Sequence, residues 1–177
     1  MPPADIFISG FGDSIFRHAG RYAEAFRAEH PERAVALFPW DAHRRILAHI
    51  AALPASQAVH LIGHSYGAHT AAEVAVATGR TIQLLITIDP VGRRGHGDVR
   101  AAVQRWINVT ARPKSWNRQD LTAALGGKGG RLPHWLADAA YAAPAHHQQF
   151  TALMRHAPSG EPSAEAVLRA RWQPASP

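Results

Sequence analysis

The chain has 177 residues, 46% of them hydrophobic and 18% charged, with a formal net charge of +6 and no cysteine. Such a chain buries a real core, which excludes a disordered polypeptide, a disulfide framework and thiol chemistry. No window reaches the roughly 18 apolar residues of a membrane-spanning helix, and Met1-Pro2-Pro3-Ala4-Asp5 lacks the basic and apolar parts of a signal peptide, so a cytoplasmic location is expected.

Asp5-Ile6-Phe7-Ile8-Ser9 is predicted as a short buried strand that closes on Gly10-Phe11-Gly12-Asp13-Ser14, a turn-rich loop. A helix is expected over residues 16–30, with Phe16, Ala19, Ala23 and Phe26 on one side and Pro31 as its stop. Ala34-Val35-Ala36-Leu37-Phe38 reads as a second buried strand. Asp41 is placed to cap a helix running to Leu53 with Ile46, Leu47, Ile50 and Ala51 turned inward.

Residues 58–72 then join an apolar run to Gly63-His64-Ser65-Tyr66-Gly67 and an Ala-rich helical pattern. This is the strand–turn–helix context of a nucleophile elbow, in which a strained backbone holds the central serine clear of the sheet. Larger side chains at positions 63 and 67 would collide, so both are glycine. Ala68, Ala71, Ala72 and Ala75 make one small-residue face on which the helix lies close to the sheet.

Thr81-Ile82-Gln83-Leu84-Leu85-Ile86-Thr87-Ile88 is the most strand-like run in the chain, ending at Asp89-Pro90, and residues 106–110 are a fifth strand candidate. Beyond it the pattern weakens. Gly126-Gly127-Lys128-Gly129-Gly130 reads as a flexible loop, residues 132–142 as a short helix after Pro133, and residues 146–155 as a last helix. The tail from Pro158, with one helical patch near Val167, is expected to be loosely attached. Strands alternating with helical segments imply a three-layer α/β/α sandwich with a mostly parallel sheet. No repeat or second domain is visible, so residues 1–177 are expected to form one domain with its core over about 5–156.

A serine hydroxyl becomes a nucleophile when an imidazole takes its proton and a carboxylate orients that imidazole. Such groups collect at the carboxyl ends of parallel strands. Asp89 stands there, and is favoured as the acid over a plain Asp-Pro turn residue; Asp98, Asp120 and Asp138 are the reserves. The base should follow the acid in the chain. His147 is chosen, with His146 as the alternative and His134 and His156 behind them. His64 would point to the far side of the turn, as packing or hydrogen-bonded structure. Oxyanion donors are expected from the backbone N–H of Tyr66, next after the serine, and of Phe11 in the loop after the first strand.

These residues resemble the α/β-hydrolases, and among them the lipases of the pancreatic type. Their elbow has the form Gly-His-Ser-Leu-Gly-Ala-His and a following strand closes in Leu-Asp-Pro; here the stretches are Gly63-His64-Ser65-Tyr66-Gly67-Ala68-His69 and Ile88-Asp89-Pro90. Ile8-Ser9-Gly10-Phe11-Gly12-Asp13 is similar to the family's His-Gly-Phe oxyanion loop, with Ser9 in place of His. The resemblance covers about residues 5–92. It implies a minimal α/β-hydrolase fold, Ser65 as nucleophile, Asp89 as triad acid, and Phe11 and Tyr66 as oxyanion donors. The chain departs from those lipases in its shortness and in having no cysteines, accessory domain or recognisable lid. No clear strand leads into His146-His147.

The expected activity is therefore hydrolysis of carboxylic esters through an acyl-enzyme on Ser65. A thioesterase using the same residues and an inactive hydrolase-fold binding protein are the alternatives. Nine Lys/Arg and two acids fall between residues 93 and 131, while the rest is near neutral. Part of this basic segment should lie near the site, where it is either a solvated surface or an attractor of an anionic small-molecule ester or acyl substrate. Charge alone does not make a nucleic-acid binder, and no motif accompanies it. His60, His64 and His69 sit on strand, turn and helix, which send them apart, so neither metal nor cofactor is expected.

Overall fold

The structure, a computed structural model, describes residues 1–92, 98–127 and 132–170. In chain order the elements are β1 (Ala4–Ser9), α1 (Asp13–Phe16), α2 (His18–Glu29), β2 (Ala34–Pro39), α3 (His43–Ala52), β3 (Val59–His64), α4 (Tyr66–Ala77) and β4 (Ile82–Ile88). Next come α5 (Val99–Ala102), β5 (Val103–Ala111), α6 (Arg118–Leu125), a 3-10 turn at His134–Leu136, β6 (Ala139–Ala143), α7 (Phe150–Arg155) and α8 (Ala164–Arg169). The six strands form one parallel sheet in the order β2-β1-β3-β4-β5-β6.

Every residue of β1 and β3 is buried, as strands covered on both faces must be. One layer packs Tyr22, Phe26, Phe150, Leu153 and Leu168 from α2, α7 and α8 against Phe7, Ile62 and Ile107. The opposite layer packs Ile46, Ile50, Ala71, Ala75 and Val99 from α3, α4 and α5 against Ile6, Leu61, Leu85 and Trp106. This is the expected three-layer α/β/α architecture. Ala68, Ala71, Ala72 and Ala75 are all buried, so α4 does lie on the sheet through its small-residue face. Among the described residues no helix is long and apolar enough to cross a membrane.

Several boundaries differ from expectation, each for a local reason. β2 is an edge strand and is only partly buried. The helix expected over residues 16–30 is broken at Arg17, which is left-handed at φ 55°, because the buried Asp13 carboxylate accepts the Ala19 and Gly20 N–H groups at 3.0 and 3.1 Å and caps α2 from outside. Asp41 caps nothing, since α3 begins after Ala42 with no side-chain cap, and Ala51 is exposed. Residues 132–142 hold β6 rather than a helix. Ala139-Ala140-Tyr141-Ala142-Ala143 has no β-branched residue to announce a strand, and pairing with β5 from Ile107↔Ala139 to Ala111↔Ala143 overrides its local preference.

The last helix starts at Phe150, not at residue 146, because His146 and His147 are drawn into side-chain bonds of their own. The tail is not loose through residue 170. Ala164, Val167 and Leu168 are buried in the core, Arg33 donates to the Leu168 carbonyl at 3.0 Å, and Glu165 pairs with Arg155 and Arg169. Of the expected glycine loop, residues 128–130 lie outside the described residues, as do residues 93–97, 131 and 171–177.

Candidate active site

Ser65 stands between β3 and α4 at φ 56° and ψ −124°, a backbone region costly for any residue but glycine. The turn is nailed down on both sides: the Ser65 N–H donates to the Ile88 carbonyl at 2.9 Å, and the Ser65 carbonyl accepts from Ala68 and Val91. The two glycines are required for distinct reasons. A Cβ on Gly63 would come within 2.4 Å of the Gly67 carbonyl oxygen, and one on Gly67 within 2.3 Å of the Ile8 carbonyl oxygen. A Cβ on Gly10 would reach 2.7 Å from Cβ of Ser65, so the loop after β1 lies directly against the serine.

Asp89 follows β4 at φ 41°, fully buried. Its N–H donates to the Val109 carbonyl at 2.7 Å, and its Oδ1 accepts the Ala111 N–H at 2.9 Å. Those bonds leave Oδ2 facing His147, whose Nδ1 lies 2.6 Å away. The other ring nitrogen, Nε2, is 3.0 Å from Ser65 Oγ. The tautomer that satisfies both contacts donates Nδ1–H to Asp89 and accepts the Ser65 hydroxyl proton at Nε2. Ser65, Asp89 and His147 thus form one hydrogen-bonded chain.

His146 does not join it. Its Nδ1 meets Asp120 Oδ2 at 2.7 Å, so the alternative base and a reserve acid are paired with each other. Asp98 caps α5 through the Ala101 N–H, and Asp138 takes Arg100 and the Trp106 N–H. His134 stays on its own 3-10 turn beside the Leu132 carbonyl, and His156 ends α7. His64 is buried against His147, its Nε2–H donating to the His147 carbonyl at 2.9 Å. Burial, reinforced by His147 nearby, pushes the His64 pKa down to about 3, so this ring is neutral.

The Phe11 and Tyr66 N–H groups have no backbone or side-chain acceptor among the described residues. Both residues line the same cleft as Ser65 and His147. The cleft has a volume of about 740 Å³ and is walled by Phe11, Ile15, Phe16, Trp40, Tyr66 and Val91, with Arg118 on its α6 side. Phe11 and Ile15 are 72% and 77% exposed, an unusual display of apolar surface beside a serine. Of the nine basic residues in 93–131, Arg93, Arg94, Lys128 and Arg131 lie outside the described residues.

A profile described as the alpha/beta hydrolase family matches residues 6–177. The chain belongs to that family. Two solved structures similar to this family member are YbtT, the type II thioesterase from the yersiniabactin NRPS/PKS biosynthetic pathway, and its serine-to-alanine mutant. The first is 13% identical with a TM-score of 0.48, covering 88% of this chain and 93% of that one. The second is also 13% identical, with a TM-score of 0.45 and coverage of 88% and 95%. No curated protein matches the chain. Among the described residues no cluster of three or more His, Cys, Asp or Glu could hold a metal ion.

One site residue was hidden in the sequence. Asp120 counts there only as a reserve acid, yet its Oδ1 accepts the His147 backbone N–H at 2.8 Å. Asn117-Arg118-Gln119-Asp120 has the spacing of a capping box, which the structure forms. That spacing places Asp120 at the start of α6 but carries no sign of its reach to His147.

Proposed function

We propose that the chain is a serine hydrolase that cleaves carboxylic esters through an acyl-enzyme on Ser65. The observation that carries this is the unbroken chain Asp89 Oδ2–His147 Nδ1 and His147 Nε2–Ser65 Oγ, at 2.6 and 3.0 Å, set on a strained elbow at the floor of an open cleft. Ser65 Oγ attacks the ester carbonyl as its proton passes to His147 Nε2, and Asp89 stabilises the imidazolium that results. The Phe11 and Tyr66 N–H groups receive the oxyanion. Collapse expels the alkoxide, which takes the proton from His147 and leaves as the alcohol. Water, activated by the same imidazole, then hydrolyses the acyl-enzyme and restores Ser65.

The cleft walls favour an apolar acyl group, which would cover Phe11, Ile15 and Phe16. Arg118 on the α6 side favours a substrate that also carries an anionic group, and the expected partner is such a small molecule.

The test is hydrolysis of p-nitrophenyl esters from acetate to palmitate, with acyl thioesters alongside, by wild type and Ser65→Ala. Activity on esters that is lost in the variant supports the proposal, and a preference for chains longer than acetyl supports the apolar acyl site. Turnover of thioesters alone would replace ester by thioester in the same mechanism. A wild type inert on every substrate, and unlabelled by a fluorophosphonate at Ser65, would instead leave a hydrolase-fold binding protein.

A further inference from the structure

We infer that Asp120 is a positioning residue for the base: it fixes the peptide of His147 so that the imidazole can bridge Asp89 and Ser65. This deepens the serine-hydrolase reading and rests on it for its kinetic consequences.

His147 lies in the segment between β6 and α7, where no regular structure supports it. An imidazole there keeps its aim only if the backbone beneath it is held. The His146 carbonyl of that peptide accepts the Gln149 N–H at 3.0 Å within the turn, and two bonds from other elements hold His147 itself, one on each side of the residue. Asp120 Oδ1 accepts the His147 N–H at 2.8 Å, and His64 Nε2–H donates to the His147 carbonyl at 2.9 Å. Asp89 then has only to orient the ring.

Asp120 is suited to that task because its own freedom is gone. Its side chain is 1% exposed. Its Oδ2 accepts the Asn117 N–H at 3.0 Å and meets His146 Nδ1 at 2.7 Å, while its N–H donates to Asn117 Oδ1 at 3.0 Å. Burial works against its charge, but the N–H groups of Asn117 and His147 and the contact with His146 outweigh it and hold the carboxyl below its usual range. Two carboxylates, Asp89 just past the end of β4 and Asp120 in the first turn of α6, therefore converge on one histidine, Asp89 on its ring and Asp120 on its backbone. Because Arg118, Gln119, Thr122 and Ala123 of the same helix line the cleft, α6 joins the substrate wall to the base it must face.

The competing role is that of a helix cap alone. Asp120 closes the capping box of α6, and any loss on mutation could then be loss of fold. Three full-length variants separate the two. Asn117→Ala removes the reciprocal cap acceptor and leaves the carboxylate in place. Asp120→Asn keeps an acceptor for the His147 N–H while losing the charge and the Asn117 contact. Asp120→Ala removes everything.

The readouts are kcat and KM on an ester, the melting temperature, and hydrogen exchange of the His147 amide, which needs no activity. For Asp120→Ala, kcat should fall about 30- to 100-fold with KM within about threefold, since small misplacements of a reacting group cost that much. Its His147 amide should exchange at least about tenfold faster than in wild type. Asp120→Asn should keep kcat within about fivefold and protect the amide, although its cap is as damaged as that of Asn117→Ala. Equal kcat losses in Asp120→Ala and Asn117→Ala at equal melting temperatures would overturn the inference in favour of a plain cap. Equal losses in Asp120→Asn and Asp120→Ala, with the amide still protected in both, would overturn it in favour of a charge effect. An inert wild type would sink the hydrolase reading, and amide exchange would still decide whether Asp120 holds His147.

Discussion

The ring of His64 stacks on that of His147, with centroids 4.9 Å apart and planes inclined by 30°. Two imidazoles this close cannot both be charged without repulsion, and burial settles which one stays neutral. The pKa of His64 falls from its ordinary 6.5 to about 3.

This has a consequence for stability. The unfolded chain protonates His64 as pH falls below 6.5, whereas the folded chain does so only near 3. The unfolded state thus binds the extra proton within that window, and folding stability must fall with pH, by an amount on the order of a few kcal/mol across it. His64→Gln retains a donor for the His147 carbonyl without the titration. Its melting temperature should decline less steeply than that of wild type between neutral and mildly acidic pH. Parallel declines would show that His64 does not govern this loss.

Asp89→Asn tests which carboxylate is the acid. With Asp120 committed to the His147 backbone and to His146, nothing else described lies at His147 Nδ1. An amide at position 89 favours the wrong tautomer, so kcat should fall by about 10³- to 10⁴-fold with KM little changed. A loss below about tenfold would mean that another group can take over the task.

The glycines around Ser65 should divide into folding and catalytic classes. A methyl on Gly67 meets main-chain oxygens of Ile8 and Ser9 at 2.3 and 2.6 Å, and backbone of β1 cannot yield without breaking the sheet. Gly67→Ala should therefore express poorly or melt far below wild type. A methyl on Gly10 meets mainly the Ser65 side chain, at 2.7 Å from Cβ and 3.3 Å from Oγ. Gly10→Ala should lose far more kcat than stability, a split that melting and ester hydrolysis together would reveal.

These glycines also show why the elbow could be read from sequence. Gly63, Ser65, Gly67 and the small face of α4 fall within about a dozen consecutive residues and so make a legible pattern, although the backbone that demands Gly67 is that of Ile8 and Ser9 in β1. Asp89 was readable for a similar reason, since it closes β4, the most strand-like run in the chain. β6 was not, because an Ala-rich pentapeptide becomes a strand only when β5 is beside it, and without that strand the placement of His147 had no visible support. Asp120 shows the same boundary: its cap is local, and its bond to His147 spans 27 positions.

The C-terminal segment is a further case, and it yields a test. Read alone, its Pro/Ser/Ala composition suggests a loose tail, yet Leu168 is fully buried beside Phe26 and Phe150 in the same core layer. Leu168→Ala should cost about 2–5 kcal/mol, read as a fall in the denaturation midpoint. An unchanged midpoint would restore the loose tail.

Substrate charge is tested at Arg118. Of the described basic residues of the segment, Arg100 is engaged with Asp138, whereas Arg118 lies on the cleft wall at the first turn of α6. A cation there attracts an anionic ester over a distance that salt shortens, and does little for a neutral one. Arg118→Gln should raise KM for a p-nitrophenyl ester bearing a free carboxylate by about three- to tenfold at low salt, and KM for its neutral counterpart by less than about twofold. High salt should bring wild type to the level of the variant on the anionic ester. Salt effects of equal size on both esters would make Arg118 a solvated surface residue and leave the apolar wall as the source of specificity.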